Sequence, residues 1–219
     1  MHIFFDFDGT LISAEKRMYR LYADYCRRLG TVPIQQSLYI AQKKRGIRER
    51  DVTSVALGSE VDVYLKWKLE HMEDPSYIQL DTLYKGVPTI LKKLQKLGNS
   101  LYILTSRVGR AKLMNQVKQY NIEDYFIEII NTPGADGARC KTKGLSDAMV
   151  CHHIHGQSMV LVGDSEVEVQ AANNVGIACI SVTYGLRGKE FFHSLGQSQT
   201  VDSVSELTDS LLALQKSMV

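Results

Sequence analysis

Met1-His2-Ile3-Phe4-Phe5-Asp6-Phe7-Asp8-Gly9-Thr10 opens the chain, and its reading decides the architecture. Three apolar residues, Ile3 to Phe5, run straight into Asp6, and Gly9 then allows a sharp turn. A short apolar run stopped by polar and turn residues suits a strand buried on both faces. The same pattern recurs at Leu101 to Leu104 before Thr105-Ser106, and at Phe126 to Ile130 before Asn131-Thr132. It appears again at Val160 to Val162 before Gly163-Asp164, and at Ala178 to Val182 before Thr183. Amphipathic stretches separate these runs: Val87 to Leu97, Ala111 to Tyr120, Thr142 to Cys151 and Val167 to Val175. Gly98 and Gly176 follow two of them as helix stops. Strands alternating with helices predict an α/β, doubly wound, mostly parallel sheet with right-handed crossovers.

Residues 13 to about 84 interrupt the alternation. They read as helices over Glu15 to Leu29, Ile34 to Arg45, Glu49 to Leu57 and Val61 to Met72, punctuated by Gly30, Pro33, Gly46, Gly58 and Pro75. The predicted division is therefore a core domain of residues 1–12 and 85–219, with a helical cap at 13–84 inserted after the first strand. The final stretch, Val204 to Leu214, reads as a docked amphipathic helix.

Composition bounds the function. The 219 residues are 44% apolar and 23% charged, ordinary for a globular protein. A net charge of +2 gives no argument for a nucleic acid or membrane partner. The first residues lack the basic, apolar and small-residue succession of a signal peptide. No apolar stretch approaches the roughly 20 residues that span a bilayer. Four scattered cysteines form no Cys-x-x-Cys pair, so reduced thiols and a cytoplasmic location are expected. A homodimer remains open.

In parallel sheets ligands collect at the carboxyl ends of strands, and the polar residues named above all fall there. Asp6 and Asp8 are two apart, so on an extended chain they face one side and call for a cation between them. Magnesium, a small hard ion that takes oxygen ligands and keeps several waters, suits that place. Gly9 permits the exit from the strand, and Thr10 can hydrogen-bond within the turn. An Asp can attack phosphorus to form an acyl phosphate, while a partner carboxylate protonates the leaving oxygen and later activates water. Thr105 and Ser106 offer hydroxyls and N–H groups for a phosphate at a helix start. Lys141 or Lys143, just before a helix, can neutralise the transferred group. Asp164 with Glu166 or Glu168 adds oxygens for the metal. Each feature alone has a plainer reading, as a solvated turn or a helix cap; their joint order does not.

Asp6-Phe7-Asp8-Gly9-Thr10 resembles the first motif of the haloacid-dehalogenase superfamily. Leu104-Thr105-Ser106 resembles its second, and Val162-Gly163-Asp164-Ser165-Glu166-Val167-Glu168 its fourth. Lys85 to Leu94 and the tail from Gly176 to Glu190 resemble the matching parts of phosphoglycolate-phosphatase-like members. The resemblance implies Asp6 as nucleophile, Asp8 as acid/base, Thr105 as a phosphate-binding and catalytic hydroxyl, and Asp164 as a metal ligand. It also implies the backbone carbonyl of Asp8 as a ligand. Glu168 stands where the family has Asp, so it would ligate directly, ligate through water, or orient a neighbour. For the third motif Lys141 is preferred to Lys143, because Leu145, Ala148 and Met149 then fall on the inward face of the following helix. The expected activity is magnesium-dependent hydrolysis of a small phosphorylated metabolite. A sugar-phosphate mutase and a non-enzymatic phospho-accepting module are the alternatives.

Two further features invite a reading. Cys151-His152-His153-Ile154-His155 lacks the second cluster a zinc site needs. The basic run Lys43 to Arg50 reads as solvated surface, or as a source of one side chain reaching down to an anionic substrate. Trp67 and the tyrosines of the insert are expected to pack its helices.

Overall fold

The computed structural model describes residues 1–217; the last two residues of the expected 85–219 segment lie outside them. In chain order the elements begin with β1 (His2–Phe5) and β2 (Ile12–Ser13). Five helices follow: α1 (Glu15–Leu29), α2 (Gln36–Lys44), α3 (Glu49–Leu57), α4 (Val61–His71) and α5 (Pro75–Ile78). The chain then forms β3 (Thr82–Leu83), α6 (Val87–Lys96), β4 (Ser100–Thr105), α7 (Arg110–Gln119), β5 (Glu128–Asn131) and α8 (Gly137–Cys151). It ends with β6 (Met159–Gly163), α9 (Glu166–Val175), β7 (Ala178–Val182), α10 (Lys189–Ser194), β8 (Thr200–Val201) and α11 (Val204–Ser217).

Six strands make one sheet in the order β5-β4-β1-β6-β7-β8, every neighbour parallel. β1 is central, as its apolar run requires. Ile3 and Phe5 face one core layer with Leu91 and Leu94 of α6, Leu113 of α7 and Leu211 of α11. Phe4 faces the other with Leu145 of α8, Ala172 of α9 and Phe192 of α10. That alternation is the period of a strand expressed as two covered faces. The strand order reverses at β1, so Asp6 leaves the sheet at the switch point where open parallel sheets bind ligands.

β2 and β3 pair antiparallel, Ile12 opposite Leu83, where the chain leaves and re-enters the sheet unit. The five helices between them bury a separate cluster built on Tyr22, Tyr25, Tyr39 and Tyr64, with Trp67 packed against it. Tyr22 and Tyr39 stack with centroids 5.6 Å apart, within the range of favourable aromatic pairs.

Several elements carried no usable sequence signal. β2, β3 and β8 are two residues each, too short for any periodicity, and α5 and α10 are only slightly longer. The helix expected from Thr142 starts five residues earlier, at Gly137. Asp136 caps it, its carboxylate accepting from the Arg139 N–H at 3.0 Å. Lys141 therefore sits inside the helix instead of before it.

Candidate active site

Asp6 follows β1 directly, and its N–H still donates to Val162 of β6 at 2.8 Å. The backbone then reverses through Gly9, whose φ of +81° suits glycine, with the Gly9 N–H donating to Ile12 at 2.7 Å. A Cβ on Gly9 would sit 1.8 Å from Oδ2 of Asp164, so this glycine also makes room for that carboxylate. The Thr10 hydroxyl, expected to bond within the turn, is instead buried without a partner.

Lys141 joins the strand ends from the side. Its Nζ lies 2.5 Å from Oδ1 of Asp6 and 2.5 Å from Oε1 of Glu168, and the side chain is only 2% exposed. Gly144, one turn on, lets α8 approach the sheet closely, since a Cβ there would meet Leu104 at 2.9 Å. Lys143 points to solvent and pairs with Asp147. Lys141 thus lies on the inward face of the helix and Lys143 on its outward face.

Glu168 is held from both ends. Its second oxygen accepts from the Ser165 N–H at 3.1 Å and the Ser165 hydroxyl at 2.7 Å, completing a capping box at the start of α9. Gly163 is required beneath it, because a Cβ there would fall 2.0 Å from Cγ of Glu168. Both oxygens thus carry hydrogen bonds, one to Lys141 and the other to Ser165. Glu166 is turned to Arg187, with contacts of 2.8 Å.

The Asp8 side chain departs from the sequence-based expectation. Its ion-pair partners differ from the Lys141 ammonium that contacts Asp6. The chain is no longer extended there, and the carboxylate is gripped by Arg107 of the loop after β4 and Arg17 of α1. Arg107 Nε and Nη2 lie 2.5 and 2.8 Å from its oxygens, and Arg17 Nη2 also contacts it. Both arginines reach Asp81 too, at 3.1 and 3.2 Å. Burial alone would raise Asp8, but the two guanidiniums hold it well below the usual carboxylate range. Burial pushes Asp81 up to about 6 despite the same arginines.

Thr105 ends β4 with its hydroxyl accepting from the Arg107 N–H at 3.4 Å. Ser106 is exposed. Neither lies at a helix start, because α7 begins only at Arg110. A loop, not a helix terminus, would thus meet the phosphate here.

Asp164 is buried against Gly9 and Gly185, one oxygen accepting from the Leu186 N–H at 2.7 Å. Burial raises its affinity for a proton far above normal, and Asp6 and Glu168 add to the effect. Asp6 is pushed up to about 7 by burial and by Glu168, against the pull of Lys141. Two buried carboxylates thus contact one ammonium, and the buried Asp164 adds its charge nearby. Among the described residues no three His, Cys, Asp or Glu side chains converge as a metal cage. The excess of buried carboxylate over ammonium nevertheless fits a magnesium ion, which needs only one or two carboxylates and keeps its waters.

A cavity of about 140 Å³ opens between Asp8 and Asp164 on one side and the inserted helices on the other. The expected solvated surface at Lys43 to Arg50 holds only in part. Arg48 and Arg50 are exposed, whereas Lys43 is buried and lines the cavity. Lys44 crosses to the core, donating to the carbonyls of Thr183 and Gly185 at 3.0 Å each. Glu73 makes a second crossing, accepting from the N–H groups of Val108 and Gly109 at 2.7 and 2.8 Å. Arg17 and Arg107 lay outside the sequence-based expectation, whereas Lys43 and Lys44 belong to the basic run from which one side chain was expected to reach down. Arg107 carried one signal, its place two residues after Thr105; Arg17 looks like any polar helix residue.

Residues 3–182 match the model of the haloacid dehalogenase-like hydrolase family. A phosphoglycolate phosphatase of Vibrio vulnificus is 26% identical over 219 residues, covering 96% of this chain and 95% of its own. Pyrophosphatase PpaX of Halalkalibacterium halodurans is 23% identical over 126 residues, 58% of each chain. A solved haloacid dehalogenase-like hydrolase from Streptococcus pneumoniae superposes with a TM-score of 0.75 at 19% identity, covering 96% of this chain and 97% of that one.

Proposed function

We propose that this chain, which belongs to the haloacid dehalogenase-like hydrolase family, is a magnesium-dependent phosphatase that cleaves a small phosphate monoester through an aspartyl-phosphate at Asp6. The observation that carries the reading is the placement of Lys141 Nζ 2.5 Å from Asp6 at the switch point of the sheet. Its near full-length likeness to a phosphoglycolate phosphatase makes phosphoglycolate the nearest substrate class. Residues 13–84 act as the cap over a catalytic domain of residues 1–12 and 85–219. The four free cysteines fit a reducing compartment, and the cytoplasm is the location we assign.

Asp6 attacks phosphorus, the bond to the leaving oxygen breaks, and Asp8 supplies that oxygen with a proton. Water then attacks the phosphorus of the acyl phosphate, Asp8 takes its proton, and inorganic phosphate leaves with the Asp6 carboxylate restored. Lys141 and the Thr105 hydroxyl hold the phosphoryl oxygens. Asp6, Asp164 and the backbone carbonyl of Asp8 would hold the metal, which supplies positive charge to the phosphoryl group when bound. Arg17 and Arg107 favour the carboxylate form of Asp8, the form that activates water. Arg17 rides on the cap and Arg107 on the core, so cap opening would remove one of the two guanidiniums that hold Asp8 as a carboxylate.

The test is phosphate release from a panel of small phosphate esters, with magnesium and with chelator. Turnover that survives chelation removes the metal from the reading, and absence of turnover on every ester refutes it.

A further inference from the structure

Glu49 of α3 sits beneath more donors than its charge can balance. Lys68 of α4 approaches one oxygen at 2.7 Å, and Lys43 of α2 approaches the other at 3.2 Å. The hydroxyls of Tyr39 and Tyr64 donate to the same carboxylate at 2.8 Å. One anion therefore faces two buried ammonium groups, and one positive charge is left without a counterion. Arg187, also close, is already matched by Glu166. Lys43 is the less well held of the two lysines. Burial depresses its hold on the proton, and Lys68 and Arg187 repel it.

Only Lys43 of this pair lines the cavity between cap and core. Much of the roof around it is apolar, from Met18, Ile40 and Met72, and the opposite wall carries Asp8 and Asp164. An uncompensated buried cation is unfavourable until an anion completes it. At about 140 Å³ the space lies well below the roughly 300 Å³ at which pockets begin to take drug-sized ligands. It suits a leaving group of few atoms.

We propose that Lys43 reads a carboxylate on the leaving group, and so separates a small phosphorylated carboxylic acid from an equally small uncharged phosphate ester. This rests on the phosphatase reading above. The phosphoryl end meets the strand ends, and the leaving group's anion replaces the counterion that Glu49 cannot fully provide.

The test is steady-state kinetics of the full chain with magnesium on 2-phosphoglycolate and on glycolaldehyde phosphate, which differ only in carboxylate against aldehyde. The wild type should prefer 2-phosphoglycolate. Lys43→Met should lower kcat/KM for 2-phosphoglycolate about 10- to 100-fold, chiefly through KM, the usual size of a lost charge-assisted hydrogen bond. Turnover of glycolaldehyde phosphate should change less than about threefold, and Lys43→Arg should keep most of the preference. If the methionine variant does not fold, Lys43→Gln carries the same expectation. Lys68→Met leaves Glu49 to Lys43 alone; it should lower the melting temperature and weaken the preference, but by less than Lys43→Met does. A wild type without preference, an equal loss on both esters in Lys43→Met, or a greater loss of preference in Lys68→Met than in Lys43→Met would each overturn the role of Lys43 while leaving the phosphatase intact. No hydrolysis of either ester by the wild type, with the wider panel also unhydrolysed, would remove the phosphatase reading itself and this inference with it.

Discussion

Glu168 places Oε1 2.5 Å from Nζ of Lys141, and so aims a buried ammonium at Asp6. We propose that orienting this cation is the role of Glu168, at a position where the family resemblance suggests a metal ligand. The extra methylene of Glu lets one carboxylate cap α9 and reach Lys141 together. Glu168→Ala should cost about 1–3 kcal/mol, because it opens the capping box and removes one of the two carboxylates that hold Lys141. Glu168→Gln should cost less and should lower kcat with little change in magnesium affinity. Urea denaturation and metal titration measure these. A large loss of magnesium affinity at near-normal kcat would mean that Glu168 ligates.

Lys141 and Lys143 separate cleanly by burial. Lys141→Met should abolish phosphate release. Lys143→Met breaks only an exposed pair and should leave phosphate release and stability nearly unchanged. Parallel assays of the two variants check both statements, and the reverse pattern would refute the assignment.

Lys44 and Glu73 fasten the cap to the core at two places. Lys44→Ala should loosen the 183–186 backbone, and Glu73→Ala should expose the N–H groups of Val108 and Gly109 to solvent. Hydrogen exchange by mass spectrometry should show faster exchange confined to those segments, with KM raised in both variants. Unchanged exchange in both would show that the fastenings are idle.

Acid should act on the cap through Glu49. Burial would raise its pKa, but Lys68 and then Lys43, with hydrogen bonds, bring it down to about 2. A folded-state value below the unfolded one gives stability that is complete above about pH 4.5 and fades as pH falls toward 2. Its size is of order 3 kcal/mol. The stability gap between wild type and Glu49→Gln, measured by denaturant at successive pH values, should therefore shrink below pH 4.5. A gap that widens on acidification would contradict the ion-pair assignment.

How much of this was legible depends on the distance over which each feature is written. Asp6, Thr105 and Asp164 follow apolar runs directly, so local pattern and strand-end logic reach them. α1 and α3 begin and end where their amphipathic stretches do, with Gly30 and Gly58 as stops. The Asp8 clamp joins positions 8, 17, 81 and 107, and no local rule links an arginine on a helix face to an aspartate in a distant turn. Lys43 and Lys44 sit in a charge run whose ordinary place is water; only the docking of α2 on the loop after β7 draws them inward. The two-residue strands β2 and β3 exist because the insert's ends must meet, a constraint of closure and not of composition.

The most direct test of the central claim is to quench the enzyme with borohydride during turnover of 2-phosphoglycolate and map the peptide containing Asp6 by mass. Reduction of an aspartyl-phosphate converts that residue to homoserine, so homoserine at position 6 is the expected result, with Asp6→Asn inactive and unmodified. An unmodified position 6 in active enzyme, together with turnover by Asp6→Asn, would contradict it.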